Sequence, residues 1–98
     1  MEANSQLLRL ILHRHAAMGL ESQEALLLLH MADVGMEVRV RQGDLAARMG
    51  MSARQISRIV ARLADRGMLQ VTPTSRRDGG RAENIYDLTP FLVACGDR

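Results

Sequence analysis

"QGDLAARMGMSARQISRIVARLADRGMLQV" occupies residues 42–71. Its reading turns on two glycines and a serine. Residues 42–50 read as a short helix stopped by Gly50, with Asp44 and Arg48 spaced as a favourable i,i+4 pair. A second helix opens almost at once. Ser52 stands at its N-cap position, Gln55 three residues later completes a capping box, and Gly67 is the stop. Between these signals Ile56, Ile59, Val60 and Leu63 recur at helical spacing. At about 100° per residue they share an arc of about 100°. Arg54, Gln55, Ser57, Arg58 and Arg62 fall on the opposite side. Arg54, Arg58, Arg62 and Arg66 repeat every fourth residue, and like charges at that spacing cost about 0.2–0.5 kcal/mol per pair. Within this helix only Asp65 is near enough to offset them.

The flanking sequence extends the pattern. Residues 4–18 predict a helix with Leu7, Leu8, Ile11, Leu12 and Ala16 in rhythm, and Gly19 as its stop. Residues 21–35 predict a second, central helix, with Ser22 as N-cap, Glu24 in the first turn and Gly35 at the end. Residues 36–42 alternate Met36, Val38 and Val40 with Glu37, Arg39 and Arg41, a short strand signal. Residues 68–75 and 82–89 read as two strands, with Pro73 marking an edge position. "RRDGGR" at 76–81 suits the hairpin tip between them. Phe91 and Leu92 are expected to pack back onto the body.

Two short helices joined by a tight glycine turn make a helix-turn-helix, and a basic hairpin directly after the second makes it winged. The expected fold is therefore mainly α with a small β-hairpin wing (α+β), in one domain over 1–98. Residues 4–18 form its N-terminal helix and 21–90 its winged helix-turn-helix.

Composition sets further bounds. The 98 residues are 47% apolar and only 2% aromatic, so one modest core of Leu, Ile, Val, Ala and Met is expected. A single cysteine, Cys95, rules out an intrachain disulfide framework and points to a reducing cytoplasm. No signal-peptide pattern stands at the N-terminus, and no apolar run approaches the ~20 residues that span a bilayer. The net charge is only +2, yet residues 54–81 hold seven arginines against Asp65 and Asp78, a local +5. All thirteen basic residues are Arg, which a GC-rich genome explains; it does not explain the clustering. A block of positive charge on a near-neutral chain is the footprint of a polyanion-binding surface.

A solvated helix face ordinarily mixes acids with bases; the face of Arg54, Gln55, Ser57, Arg58 and Arg62 does not. Ser57 and Ala61 are small enough for a groove wall to approach. Arg54, Arg58 and Gln55 are residue types that reach guanine or adenine edges with two bonds. The N-terminus capped by Ser52 favours a nearby phosphate. Arg76, Arg77 and Arg81 crowd the Gly-Gly tip, where they suit a minor groove or its phosphates. The expected partner is double-stranded DNA, read by a helix from Ser52 and touched by the 76–81 wing.

Other chemistries find no constellation. His13 and His15 point about 200° apart on a helix, and with His30 and Cys95 they make no metal-ligand spacing. No nucleophile triad, glycine-rich phosphate loop or acidic pair is placed for catalysis, so neither an enzyme nor a cofactor is expected.

The frame "LA..MGMS...IS..V..L...GML" at 45–69, continued to "SRRDGGRAENIYDLT", resembles winged helix-turn-helix DNA-binding proteins. It is most similar to MarR-type regulators and to the N-terminal domains of plasmid and phage replication initiators. The spacing of Asn84, Tyr86 and Leu88 resembles the initiator group. The likeness implies a homodimeric transcriptional repressor or, alternatively, a replication-initiation or plasmid-partition factor. MarR-type proteins dimerise through N-terminal and long C-terminal helices, whereas about nine residues follow the last strand here. The resemblance therefore implies that Leu7, Leu8, Ile11 and Leu12, aided by Phe91, Leu92 and Val93, carry a dimer interface. A protein-interaction module on the same fold is the competing expectation from another class.

Overall fold

A computed structural model describes residues 2–74 and 83–96. In chain order it contains α1 (Glu2–Arg14), α2 (Ser22–Val34), β1 (Glu37–Val40), α3 (Gln42–Met49), α4 (Ala53–Asp65), β2 (Gln70–Pro73), β3 (Asn84–Asp87) and α5 (Thr89–Ala94). α2 is central, packed against α1, α4 and β1, while α3 packs on α4. One hydrophobic cluster joins these layers. It is built from Leu7 and Ile11 of α1, Leu27, Leu28 and Met31 of α2, Ile56, Ile59 and Leu63 of α4, and Val38, Tyr86, Leu88 and Phe91. Tyr86 and Phe91, the chain's one tyrosine and one phenylalanine in a sequence without tryptophan, are both fully buried.

The helix-turn-helix forms as its local signals dictate. Ser52 Oγ accepts the Gln55 backbone N–H at 3.1 Å, and Gln55 Oε1 accepts the Ser52 backbone N–H at 3.1 Å. Such a cap is worth about 1 kcal/mol. Gly50 adopts φ 66°, and the Met51 N–H reaches back to Ala46 O at 3.0 Å. Gly67 repeats this geometry after α4, with φ 73° and Met68 N–H on Leu63 O at 2.9 Å. Both are left-handed closures, which a residue with a Cβ enters only at a cost of about 1–2 kcal/mol.

Several expectations shift. The expected 4–18 helix runs from Glu2 to Arg14 and continues only as turns, closing with Leu20 N–H on His15 O at 2.9 Å. The N-cap of α2 is Glu21 rather than Ser22, and the Glu21 N–H donates to Glu24 Oε1 at 2.8 Å. β1 joins the hairpin strands in one antiparallel sheet of order β1-β3-β2, with Val38 opposite Tyr86 and Val71 opposite Tyr86 on its other side. Pro73 does lie on an edge strand. The segment after β3 forms α5, whose first N–H is met by Asp87: its Oδ1 accepts the Thr89 N–H at 2.9 Å. Arg14 of α1 reaches Cys95 O at 3.4 Å, so the ends of α1 and α5 meet.

Candidate nucleic-acid interface

The Ile56, Ile59, Val60 and Leu63 stripe of α4 is buried, while Arg54, Gln55, Ser57, Arg58, Ala61 and Arg62 stand on its exposed side. The hydrophobic stripe thereby fixes which residues the helix displays. Gln55 is turned back onto its cap, since its Oε1 also lies 3.3 Å from Ser52 Oγ. Arg54, Ser57 and Arg58 project from the first two turns. Among the described residues neither Arg54 nor Arg58 has a carboxylate within ion-pair distance.

The C-terminal half of the ladder differs. Arg62 Nε lies 3.4 Å from Glu24 Oε2, and its Nη2 lies 3.6 Å from Glu21 Oε1. Arg66 Nη1 lies 3.4 Å from Glu24 Oε1. The Arg66 guanidinium also donates to Met18 O at 2.8 Å and to Gly19 O at 3.2 Å. Glu24 is only 2% exposed, an acid buried at the first turn of α2. The expectation that Asp65 alone relieves the ladder is therefore replaced. Its counter-ions, Glu21 and Glu24, come from the start of α2, about forty residues away along the chain. Arg62, expected to face DNA with Arg54 and Arg58, is held by two carboxylates, whereas those two have no such partner among the described residues. Likewise Arg48 is not turned onto Asp44; its Nη2 lies 3.8 Å from Asp33 on α2.

The wing residues Arg76, Arg77 and Arg81 lie outside the described residues. The hairpin leading to them is registered as far as Thr74, whose N–H donates to Glu83 O at 3.1 Å and whose hydroxyl donates to the same oxygen at 2.6 Å. Within β3, Asn84 Nδ2 donates to the Tyr86 hydroxyl at 3.0 Å. Burial pushes the Tyr86 phenol up from its ordinary pKa, and the Asn84 hydrogen bond opposes this.

On α1, Leu7 and Ile11 are 1% and 0% exposed. They are core residues of the single chain, because α1 lays that stripe on α2, and so they are corrected from interface to core. Phe91 packs back onto the body as expected, and so is core rather than an aid to an interface. Leu8 and Leu10 are partly buried, Leu12 is 57% exposed and Val93 is 72% exposed. These keep apolar surface on the outside.

A family model described as MarR family matches residues 18–79. The chain belongs to the MarR family. This MarR-family protein is thus a winged-helix transcriptional regulator, and the match takes in α2, β1, α3, α4 and β2. α1, β3 and α5 fall outside it. No curated protein and no solved structure matches the chain. Among the described residues no helix is long and apolar enough to cross a membrane.

Proposed function

We propose that this MarR-family regulator is a sequence-specific double-stranded-DNA-binding repressor that acts as a homodimer. α4 enters the major groove with Arg54, Ser57 and Arg58, and the Ser52-capped N-terminus lies beside a phosphate. The wing arginines Arg76, Arg77 and Arg81 take the neighbouring backbone or minor groove. Repression follows from occupancy, because a protein seated in the operator excludes the polymerase without further machinery. The protein works in the bacterial cytoplasm, on nucleoid or plasmid DNA. It needs no cofactor.

The observation that carries the reading is the pair Arg54 and Arg58, which have no carboxylate partner among the described residues. In the same helix Arg62 and Arg66 are supplied with carboxylate partners, so the fold neutralises arginines where it uses them internally. Two on consecutive turns without such a partner among the described residues are suited to phosphates and base edges. The exposed and half-exposed leucines of α1, with Val93, favour a second copy of the chain as the dimer partner.

Selection of bound sequences from random duplex DNA, followed by sizing of the complex, tests this directly. The proposal expects an enriched inverted repeat with half-sites about one helical turn apart and two chains per duplex. Enrichment of no sequence would refute specificity. One chain per duplex would refute the dimer.

A further inference from the structure

The arginine ladder of α4 changes character half-way along, and the change coincides with one buried carboxylate. Glu24 has three partners: it accepts the Glu21 backbone N–H at 2.8 Å and Arg66 Nη1 at 3.4 Å, and it forms an ion pair with Arg62 Nε at 3.4 Å. These partners come from the start of α2 and from the end of α4. Arg66 then carries the connection to a third place, the α1–α2 corner, through Met18 O and Gly19 O. Arg62 sits one turn beyond Arg58. Free of partners, it would extend the bare ridge of Arg54 and Arg58 by one more cation on the same side of the helix. Side-chain exposure marks the division: Arg62 remains 50% exposed while its Glu24 partner is 2% exposed.

Coulombic attraction between a phosphate and a mobile exposed arginine is indifferent to sequence and contributes to any duplex equally. Sequence discrimination requires the base-reading side chains to be held at a fixed register. An arginine withdrawn from the phosphate-seeking set and spent on fixing the helix serves the second need at the expense of the first.

We infer that Glu24 is a positioning residue for DNA recognition: by holding Arg62 and Arg66 it removes Arg62 from the phosphate-contacting ladder and locks the tilt of α4 against the α1–α2 corner. This rests on the DNA-binding reading above. Arg54 and Arg58 touch DNA, and Glu24 acts through Arg62 and Arg66. The trade is specificity over bulk affinity, set by one acid on a helix that does not itself enter the groove.

Three variants measured on the full chain test it: Arg62→Ala, Glu24→Gln and, as reference, Arg54→Ala. The readouts are the slope of log affinity against log salt, for a selected duplex and for a random one, and amide hydrogen exchange without DNA. Each phosphate contact contributes about 0.9 to the slope. Arg54→Ala is expected to flatten it by about 0.9 per protomer, whereas Arg62→Ala leaves it unchanged. Arg62→Ala keeps Glu24 paired with Arg66, so it remains folded. Glu24→Gln is expected to loosen Arg62, leaving it only the exposed Glu21 carboxylate at 3.6 Å, a pair that solvent screens. The slope on random duplex then steepens by up to about 0.9 per protomer, and the affinity ratio of selected to random duplex falls. Exchange in Glu24→Gln rises together at the last turn of α4 and at residues 18–20.

A flattening by Arg62→Ala equal to that by Arg54→Ala would overturn the inference. So would a Glu24→Gln variant that weakens both duplexes equally with the slope unchanged, since that is the mark of a merely structural residue. Exchange confined to α2 would also overturn it, on a measurement that involves no DNA. Failure of the wild-type chain to retain any duplex at low salt would instead strike the DNA-binding reading itself, and this inference with it.

Discussion

Replacing Arg66 by alanine should be among the most costly changes on the exposed half of α4. Arg66 donates to Met18 O, Gly19 O and Glu24 Oε1 at 2.8, 3.2 and 3.4 Å. Water can replace the guanidinium at the two exposed carbonyls, so each of those bonds is worth about 0.5 kcal/mol, the low end of the usual range. The bond to the buried Glu24 is charge-assisted, and at its length it merits about 1.5 kcal/mol. With the side chain 38% exposed, solvent screening argues against adding a further Coulomb term. The sum is about 2–3 kcal/mol, which for a domain of this length lowers the melting temperature by about 10–20 °C. Thermal unfolding followed by circular dichroism at 222 nm measures it. Protein concentration is held fixed, because a dimer would otherwise shift the midpoint by mass action. Arg66→Lys should fall between alanine and wild type, since one ammonium cannot span three acceptors as a fork does. An Arg66→Ala protein melting within about 2 °C of wild type would show that the cluster contributes nothing to the fold, and the reasoning would fail.

Other outcomes follow from single features. Leu63→Ala opens a cavity where α4 meets the core; a loss of about 2–5 kcal/mol is expected in urea unfolding. Gly50→Ala forces a Cβ into the left-handed region at φ 66° and should cost about 1–2 kcal/mol, with Gly50→Asn recovering part of it. Hydrogen bonds from the Thr89 side chain and backbone hold the Asp87 carboxyl below its ordinary pKa. Its folded value therefore lies below its unfolded one, so its contribution is present above about pH 4 and is lost as pH falls through the folded value. Asp87→Asn should be less stable than wild type at neutral pH, and the difference should close in acid denaturation.

What the sequence made readable was local. The Ser52–Gln55 cap, the Gly50 and Gly67 closures and the buried stripe of α4 depend on residues within a few positions of one another, and each formed as expected. The failures share a cause. The partners of Arg62 and Arg66 lie on α2, and that of Arg48 is Asp33 rather than Asp44; neither can be seen from i,i+4 spacing. β1 found its place only through pairing with β3, some forty-five residues on. Leu7 and Ile11 looked like surplus apolar area because a helix wheel cannot tell which stripe a neighbouring helix will cover. One signal was present and unused. Glu21 and Glu24, three apart at the start of an apolar helix, have the spacing of a capping box, and an acid that faces inward at such a position needs a cationic partner.

The most direct test of the account is the salt dependence of duplex binding by wild type and by a variant carrying both Arg54→Ala and Arg58→Ala. Both side chains are exposed and have no ion-pair partner among the described residues, so the double variant should melt close to wild type. It should lose the selected duplex and flatten the slope of log affinity against log salt by about 1.8 per protomer. A folded double variant that binds the same duplex with unchanged affinity and slope would contradict the claim that these two arginines meet DNA.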